Sequence, residues 1–372
     1  MKTNHQQLRM ALFAVIVLAA GTVGQAVVVS YIAVDLNPSG FTESFAEDIS
    51  GTQQVGQGSG SATGGNGHAL LWNGSTASYV DLNPSGFTAS CANSTNGTQQ
   101  VGVGYGSATG SENHALLWNS SAASYVDLHP SVFVSSIALC TNGTQQVGRG
   151  YTIGGYEHAL LWNGSAASYV DLNPSGFDNS YAWGISGTQQ VGWGYGSATG
   201  GTPHALLWNG STASFIDLNP SGFTYSYANG TNGTQQVGSG SGSPTGDASH
   251  ALLWNGSAAS YVDLNPSGFY DSFAEGTSGT QQVGWGSRSA GGENHALLWN
   301  GSADSYVDLH QFLSSDFTSS QAAGIAGNGN IVGSAYDSLG YGHAILWQVP
   351  EPASAILIGV GCLFARLRRR QN

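Results

Sequence analysis

Lysine is all but missing from this chain of 372 residues: Lys2 is the single one, and between Val27 and Gln348 the only arginines are Arg149 and Arg288. Twenty carboxylates stand against them in the same stretch, a formal charge of −18 with histidine neutral. A body so poor in cations cannot neutralise phosphates, which excludes nucleic acid as a partner and leaves cations or neutral glycans. Cysteine is scarce too. Cys91, Cys140 and Cys362 are too few for a disulfide scaffold. Cys91 and Cys140 occupy different offsets in the repeat described below, so nothing in the repeat calls for a bridge, and they read as unpaired small hydrophobes. Charged residues make up 8% of the chain and glycines number 56, as in a flexible low-complexity segment, but 40% apolar and 10% aromatic residues call for a packed core.

Long apolar runs are confined to the two ends. Residues 1–26 carry Lys2 and Arg9, then the run Met10 to Ala20, then small residues at Gly24 and Ala26, the order of a secretory signal peptide with mature chain starting near Val27. An anchor helix is the alternative, but the run falls short of the ~20 residues that span a bilayer. At the other end Pro350-Glu351-Pro352 precedes the apolar stretch Ala353 to Ala365 and the basic cluster Arg366, Arg368, Arg369 and Arg370. The two prolines exclude continuous regular structure and set the motif in an extended linker before a short membrane helix, whose arginines stay on the cytoplasmic side. This tail, residues 349–372, resembles the PEP-CTERM sorting signal of Gram-negative bacteria that make exopolysaccharide. The resemblance implies cleavage by an exosortase-type membrane enzyme, with transient anchoring through the C-terminal helix and delivery to the cell surface or extracellular matrix.

Between the ends, His-Ala-Leu-Leu-Trp recurs at His68, His114, His158, His204, His250 and His295, and as His-Ala-Ile-Leu-Trp at His343, with intervals of 46, 44, 46, 46, 45 and 48 residues. Each unit holds four short β-prone runs punctuated by turn residues, with no helical periodicity. In order they are A (Ser-x-Ala-x-x-x), B (Gln-Gln-Val-Gly), C (His-Ala-Leu-Leu-Trp) and D (Tyr-Val-Asp-Leu). Asn73-Gly74 suits a tight hairpin between C and D, and Asn83-Pro84-Ser85-Gly86 suits a type I turn. Four strands in 44 to 48 residues, seven times over, predict an all-β, seven-bladed β-propeller over residues 27–348, one four-stranded sheet per repeat. Strand C, apolar on both faces, fits a blade sandwiched between neighbours. The fixed alanine of strand A suits the crowded strand nearest the axis. The first run, Tyr31 to Leu36, is a D strand with no A, B or C before it, and the last repeat stops after C at Trp347. The N-terminal strand therefore completes the last blade and closes the ring, which removes an open edge. The seven units also resemble the extracellular HAF repeat, named for His-Ala-Phe, with Leu replacing Phe in six copies and Ile345 standing in the seventh. That family implies export and a propeller and assigns no activity.

Seven equivalent histidines far from the axis cannot converge on one ion, so His68 and its six counterparts read as structural, with His68 and Asp81 as neighbours on strands C and D. One Asp and one Asn per loop, in the segments led by Asp35, Asp81, Asp127, Asp171, Asp217, Asp263 and Asp308, are too few oxygens for calcium, which wants six to eight, and Asx-turn capping accounts for them. Gly-x-Gly stretches lack the lysine and following helix of a phosphate cradle. No catalytic constellation, metal site or cofactor motif stands out. Specific function is expected instead where the copies disagree. One strand B offset reads Gln57, Val103, Arg149, Trp193, Ser239, Trp285 and Ser334, and one strand A offset reads Glu47, Asn93, Leu139, Trp183, Asn229, Glu275 and Ala323. Trp183, Trp193 and Trp285 with Glu47 and Glu275 form the candidate ligand site, because ring stacking and edge hydrogen bonds are what sugar binding uses. The expectation is an exported, non-enzymatic interaction protein of the surface or matrix, meeting polysaccharide or surface proteins. A purely structural envelope component and a polysaccharide-active enzyme are the alternatives.

Overall fold

The computed structural model describes residues 30–350. These form seven four-stranded antiparallel sheets, the blades of a β-propeller. In blade 1 strand A is Phe41–Ser50, B is Gln53–Gly60, C is His68–Trp72 and D is Val80–Asp81. Each A strand touches the A strand of the blade on either side all the way round, from blade 1 back to blade 7, which places A innermost and closes the ring. Blade 7 takes strands A to C from the C-terminal end of the propeller, Phe317–Ile325, Ile331–Asp337 and Gly342–Gln348. Its fourth strand is Ile32–Asp35, with Ala33 opposite Trp347 and Asp35 opposite Ile345.

Strand alternation explains why strand C is apolar on both faces. Leu70 and Trp72 pack with Leu346 and Val332 of blade 7, while Ala69 and Leu71 pack with Leu116 and Trp118 of blade 2. The tryptophan ending strand C has no solvent exposure in any of the seven blades. The indole N–H of Trp347 donates to the Leu309 carbonyl at 3.1 Å; the other six find no protein acceptor among the described residues. Volume is what the sevenfold tryptophan supplies.

The histidine opening strand C meets the aspartate of strand D in every blade, with Nδ1 to Oδ2 distances of 2.7 to 2.8 Å. The seventh pair, His343 with Asp35, joins the two ends of the propeller. In blade 1 the network continues inward: Asn83 lies at 3.4 Å from His68 Nε2, Ser90 Oγ donates to Asn83 Oδ1 at 2.7 Å, and the Ala69 N–H donates to Ser90 Oγ at 3.0 Å. Buried polar groups are thus satisfied from one blade to the next. His129 and His310 replace that asparagine in two places and stack on His114 and His295, with centroids 4.0 and 4.4 Å apart. Burial pushes the His129 and His310 imidazoles below their ordinary range, and the neighbouring histidine adds to the effect.

Two local expectations are corrected. Asn73-Gly74 is no two-residue hairpin: strands C and D are joined by a longer loop with a 3-10 turn at Thr76–Ser78, held by Ser78 Oγ, which accepts from the Asn73 N–H and donates to the Ser75 carbonyl. Strand D is consequently only two residues long in blades 1 to 6. The turn before strand A is shifted by one residue, since the Phe87 N–H bonds the Pro84 carbonyl at 3.1 Å and Gly86 sits at φ +87°. Glycine with positive φ at the third position makes this type II. The expected signal peptide, Glu351, Pro352, the expected C-terminal membrane helix and Arg368 to Arg370 lie outside the described residues, and Pro350 is the last residue inside them. Among the described residues no helix is long and apolar enough to cross a membrane.

Candidate functional site

The strand A offset at which the seven copies disagree is a ring of β-bulges. In blade 1 Ala46 pairs with Gly56 and Asp48 with Val55, so Glu47 is the extra residue with no partner across the ladder. The same shift occurs at Asn93, Leu139, Trp183, Asn229, Glu275 and Ala323. A bulge re-aims the side chain it carries, and all seven residues line one cavity of about 440 Å³ on the axis. The glycine of Val-Gly in strand B permits this, because a Cβ on Gly56 would run into the Phe45 carbonyl oxygen beside the bulge.

The next offset forms a second tier of the same cavity: Asp48, Ser94 and Cys140 in blades 1 to 3, then Gly184, Gly230, Gly276 and Gly324 in blades 4 to 7. At Gly230 a Cβ would lie 2.6 Å from the Glu275 carbonyl, so adjacent blades approach here more closely than a side chain allows. Asp48 is tied into the wall. It accepts from Ser94 Oγ at 2.7 Å, the Thr95 N–H at 2.9 Å and the Ile49 N–H at 2.8 Å. Burial nevertheless pushes its carboxyl above the ordinary range, against the pull of those donors.

The two ring asparagines also have structural work: Asn93 donates to the Ala138 carbonyl at 2.8 Å and Asn229 to the Ala274 carbonyl at 3.2 Å, each bridging to the next blade. Asn229 donates in addition to Glu275 Oε2 at 2.9 Å. Burial raises the Glu275 carboxyl to about 7, and nearby Glu47 pushes it further up, while the Trp285 indole and Asn229 hold it down. Burial, then Asp48, raises Glu47 as well. Blade 7, between these two glutamates, carries only the methyl of Ala323 at the bulge position, with Gln321, Ser334 and Tyr336 also lining the cavity. Across the axis stands Trp183, 37% exposed although it faces an interior channel, with Leu139 beside it. One wall is therefore acidic and the opposite wall apolar and aromatic.

Of the five candidate ligand residues, Glu47, Trp183, Glu275 and Trp285 come together in this cavity, Trp285 stacked on Phe273 at 4.2 Å. Trp193 does not join them. It is sandwiched in a stack with Tyr181 at 3.8 Å and Tyr195 at 6.3 Å, its edge toward Tyr227 of the next blade. Membership of one blade placed Trp183 and Trp193 together in the sequence, but the bulge turns Trp183 to the axis while Trp193 packs between blades. The second-tier residues Asp48, Ser94 and Cys140 escaped the sequence reading; their signal was the break from glycine at that offset. Cys91 and Cys140 are free thiols, both raised by burial. Among the described residues no group of three or more His, Cys, Asp or Glu is placed to hold a metal ion.

No family model and no curated protein matches the chain. Solved structures share its fold. A puromycin-hydrolyzing peptidase of Mycobacterium tuberculosis superposes with a TM-score of 0.58 at 12% identity over 84% of this chain and 51% of its own. A puromycin hydrolase gives 0.56 at 10% identity, over 81% and 53%. This chain thus spans about half the length of those enzymes. The β-propeller domain of the Trilobed protease from Pyrococcus furiosus, of open velcro topology, gives 0.56 at 8% identity over 83% of this chain and all of the domain. Likeness at this identity speaks for the propeller alone.

Proposed function

We propose that the protein is an exported, non-enzymatic interaction protein of the cell surface or extracellular matrix, and that it binds polysaccharide in the axial cavity. The observation that carries this reading is Trp183: a large aromatic face left open in an interior channel, opposite carboxylates that can accept hydrogen bonds from hydroxyl groups. A packed propeller has no need of it, since the tryptophans that hold the blades together are wholly buried. The signal-peptide pattern of residues 1–26 and the Pro350-Glu351-Pro352 tail support export and processing by an exosortase-type enzyme, with the C-terminal helix holding the chain in the membrane beforehand.

A glycan array tests the binding reading. Hits that vanish with Trp183→Ala and persist with Trp193→Ala are expected; no hit, or hits indifferent to Trp183, would reject it. Export is tested separately by locating the protein with and without residues 349–372, the shortened form staying unanchored during transit.

A second reading, polysaccharide cleavage, draws on Glu275, whose carboxyl is raised to about 7, the range of a general acid. Cleavage also requires an ionised carboxylate partner. Burial raises Glu47 and Asp48 in the same direction as Glu275, so the cavity does not set an acid apart from a base, and binding without chemistry is the stronger reading.

A further inference from the structure

Glu47 lines the axial cavity, is half-buried in its wall, and has no hydrogen-bond partner among the described residues. Its neighbour Asp48, equally deep, has three donors. The contrast separates a carboxylate that braces the wall from one that is left free. Glu275, across the Ala323 gap, accepts from the Asn229 amide with the Trp285 indole alongside. Neither glutamate has a cation to pair with. Arg149 is bound to Glu157 at 3.2 Å, and the Arg288 guanidinium lies over the Phe269 ring at 4.3 Å, near Asp308. A half-buried carboxylate without a counter-charge carries part of the cost of desolvation, and glutamine would fill the same space without that cost. Two such groups at the narrowest side chain of the ring make a seat for a positive charge that the protein itself does not supply.

Resting on the polysaccharide reading above, we propose that the sugar in this cavity is an amino sugar, its protonated amine seated between Glu47 and Glu275 in the gap left by Ala323 and its ring face against Trp183. An ammonium group offers three N–H donors, enough to bond both carboxylates at once. A calcium ion would need six to eight oxygens, and here Asp48 and both ring asparagines are already committed to neighbouring blades. A cavity of about 440 Å³ falls within the ordinary range for small-ligand sites, and the flat indole favours a pyranose ring over a flexible lysine chain.

Isothermal titration of the full-length protein with four probes and with calcium chloride tests this. The probes are the tetramers of glucosamine, N-acetylglucosamine and glucose, and spermidine as an amine without a ring. The glucosamine tetramer is expected to bind about ten-fold or more tighter than either neutral tetramer, with Glu47→Gln and Glu275→Gln each removing about ten-fold and Trp183→Ala removing binding altogether. Both glutamine variants lose a half-buried charge that no cation balances, so their unfolding midpoints should be no lower than that of the parent. Equal binding of charged and neutral tetramers, lost in Trp183→Ala, would overturn the amine and leave the polysaccharide reading intact. Spermidine matching the glucosamine tetramer would overturn the sugar ring, and calcium binding lost in Glu47→Gln would replace the amine with a metal. No binding of any tetramer would end both readings.

Discussion

The outer strands and the axis of this propeller obey opposite rules. In the outer strands the His–Asp pair repeats within 2.7 to 2.8 Å in all seven blades and the tryptophan of strand C is sealed in each. At the axis the corresponding bulge position carries two glutamates, two asparagines, leucine, tryptophan and alanine. Every blade meets the same two neighbours, so packing rewards identical solutions between blades. A pocket shared by seven blades gains direction only when the copies differ. The lesson is that in this repeat protein the invariant motif builds the scaffold and the offset of greatest disagreement lines the axial cavity.

The same residue type can be removed from each region to sharpen this contrast. Trp208→Ala in strand C should cost about 3 to 5 kcal/mol, as large core aromatics do, whereas Trp183→Ala at the axis should cost less than about 1 kcal/mol; urea unfolding measures both. A small loss at Trp208 would mean that strand C is not core.

Glu275 should break the pattern in the other direction. Its carboxyl lies at about 7 in the folded protein against an ordinary 4.5, so between those values the folded state keeps a proton that the unfolded chain has released. Stability therefore falls as pH rises through that window and levels off above it, and the raised Glu47 and Asp48 carboxyls act in the same sense. Glu275→Gln should stabilise the protein at pH 8 by about 3 kcal/mol and leave it unchanged at pH 4, as read by unfolding at the two pH values. An equal effect at both would show that burial of the charge is not the cause.

Smaller effects belong to the outer strands. His204→Ala removes a 2.7 Å bond to Asp217, whose side chain is 42% exposed, so solvent weakens the pair and the loss should be about 1 kcal/mol. An unchanged unfolding midpoint would deny the pair a structural role. Trp347→Phe should cost about 1 kcal/mol more than Trp208→Phe, because Trp347 alone among the seven donates its indole N–H to a protein acceptor.

Much of the architecture is legible in the sequence alone. The spacing of His-Ala-Leu-Leu-Trp called for seven blades, and the missing D strand after Trp347 matched the solitary one at Tyr31 to Leu36, as the pairing of Ile32–Asp35 with Gly342–Gln348 shows. The strand A offset was visible as well, because disagreement among near-identical copies stands out in a sequence. What stayed hidden was where that offset points. Strict alternation would set Trp183 beside Tyr181 on one face of the blade, and only the bulge, reported faintly by the invariant glycine of strand B, turns it to the axis. The raised carboxyl of Glu275 depends on enclosure by other blades, which no single repeat encodes.

The central claim is that specificity resides at the axis. Pull-down with a panel of immobilised polysaccharides, comparing the Glu47→Ala/Trp183→Ala/Glu275→Ala variant with Trp193→Ala, tests it most directly. The axial variant should fold and lose the polysaccharide while Trp193→Ala retains it. Retention by the axial variant, with loss in Trp193→Ala, would contradict the account.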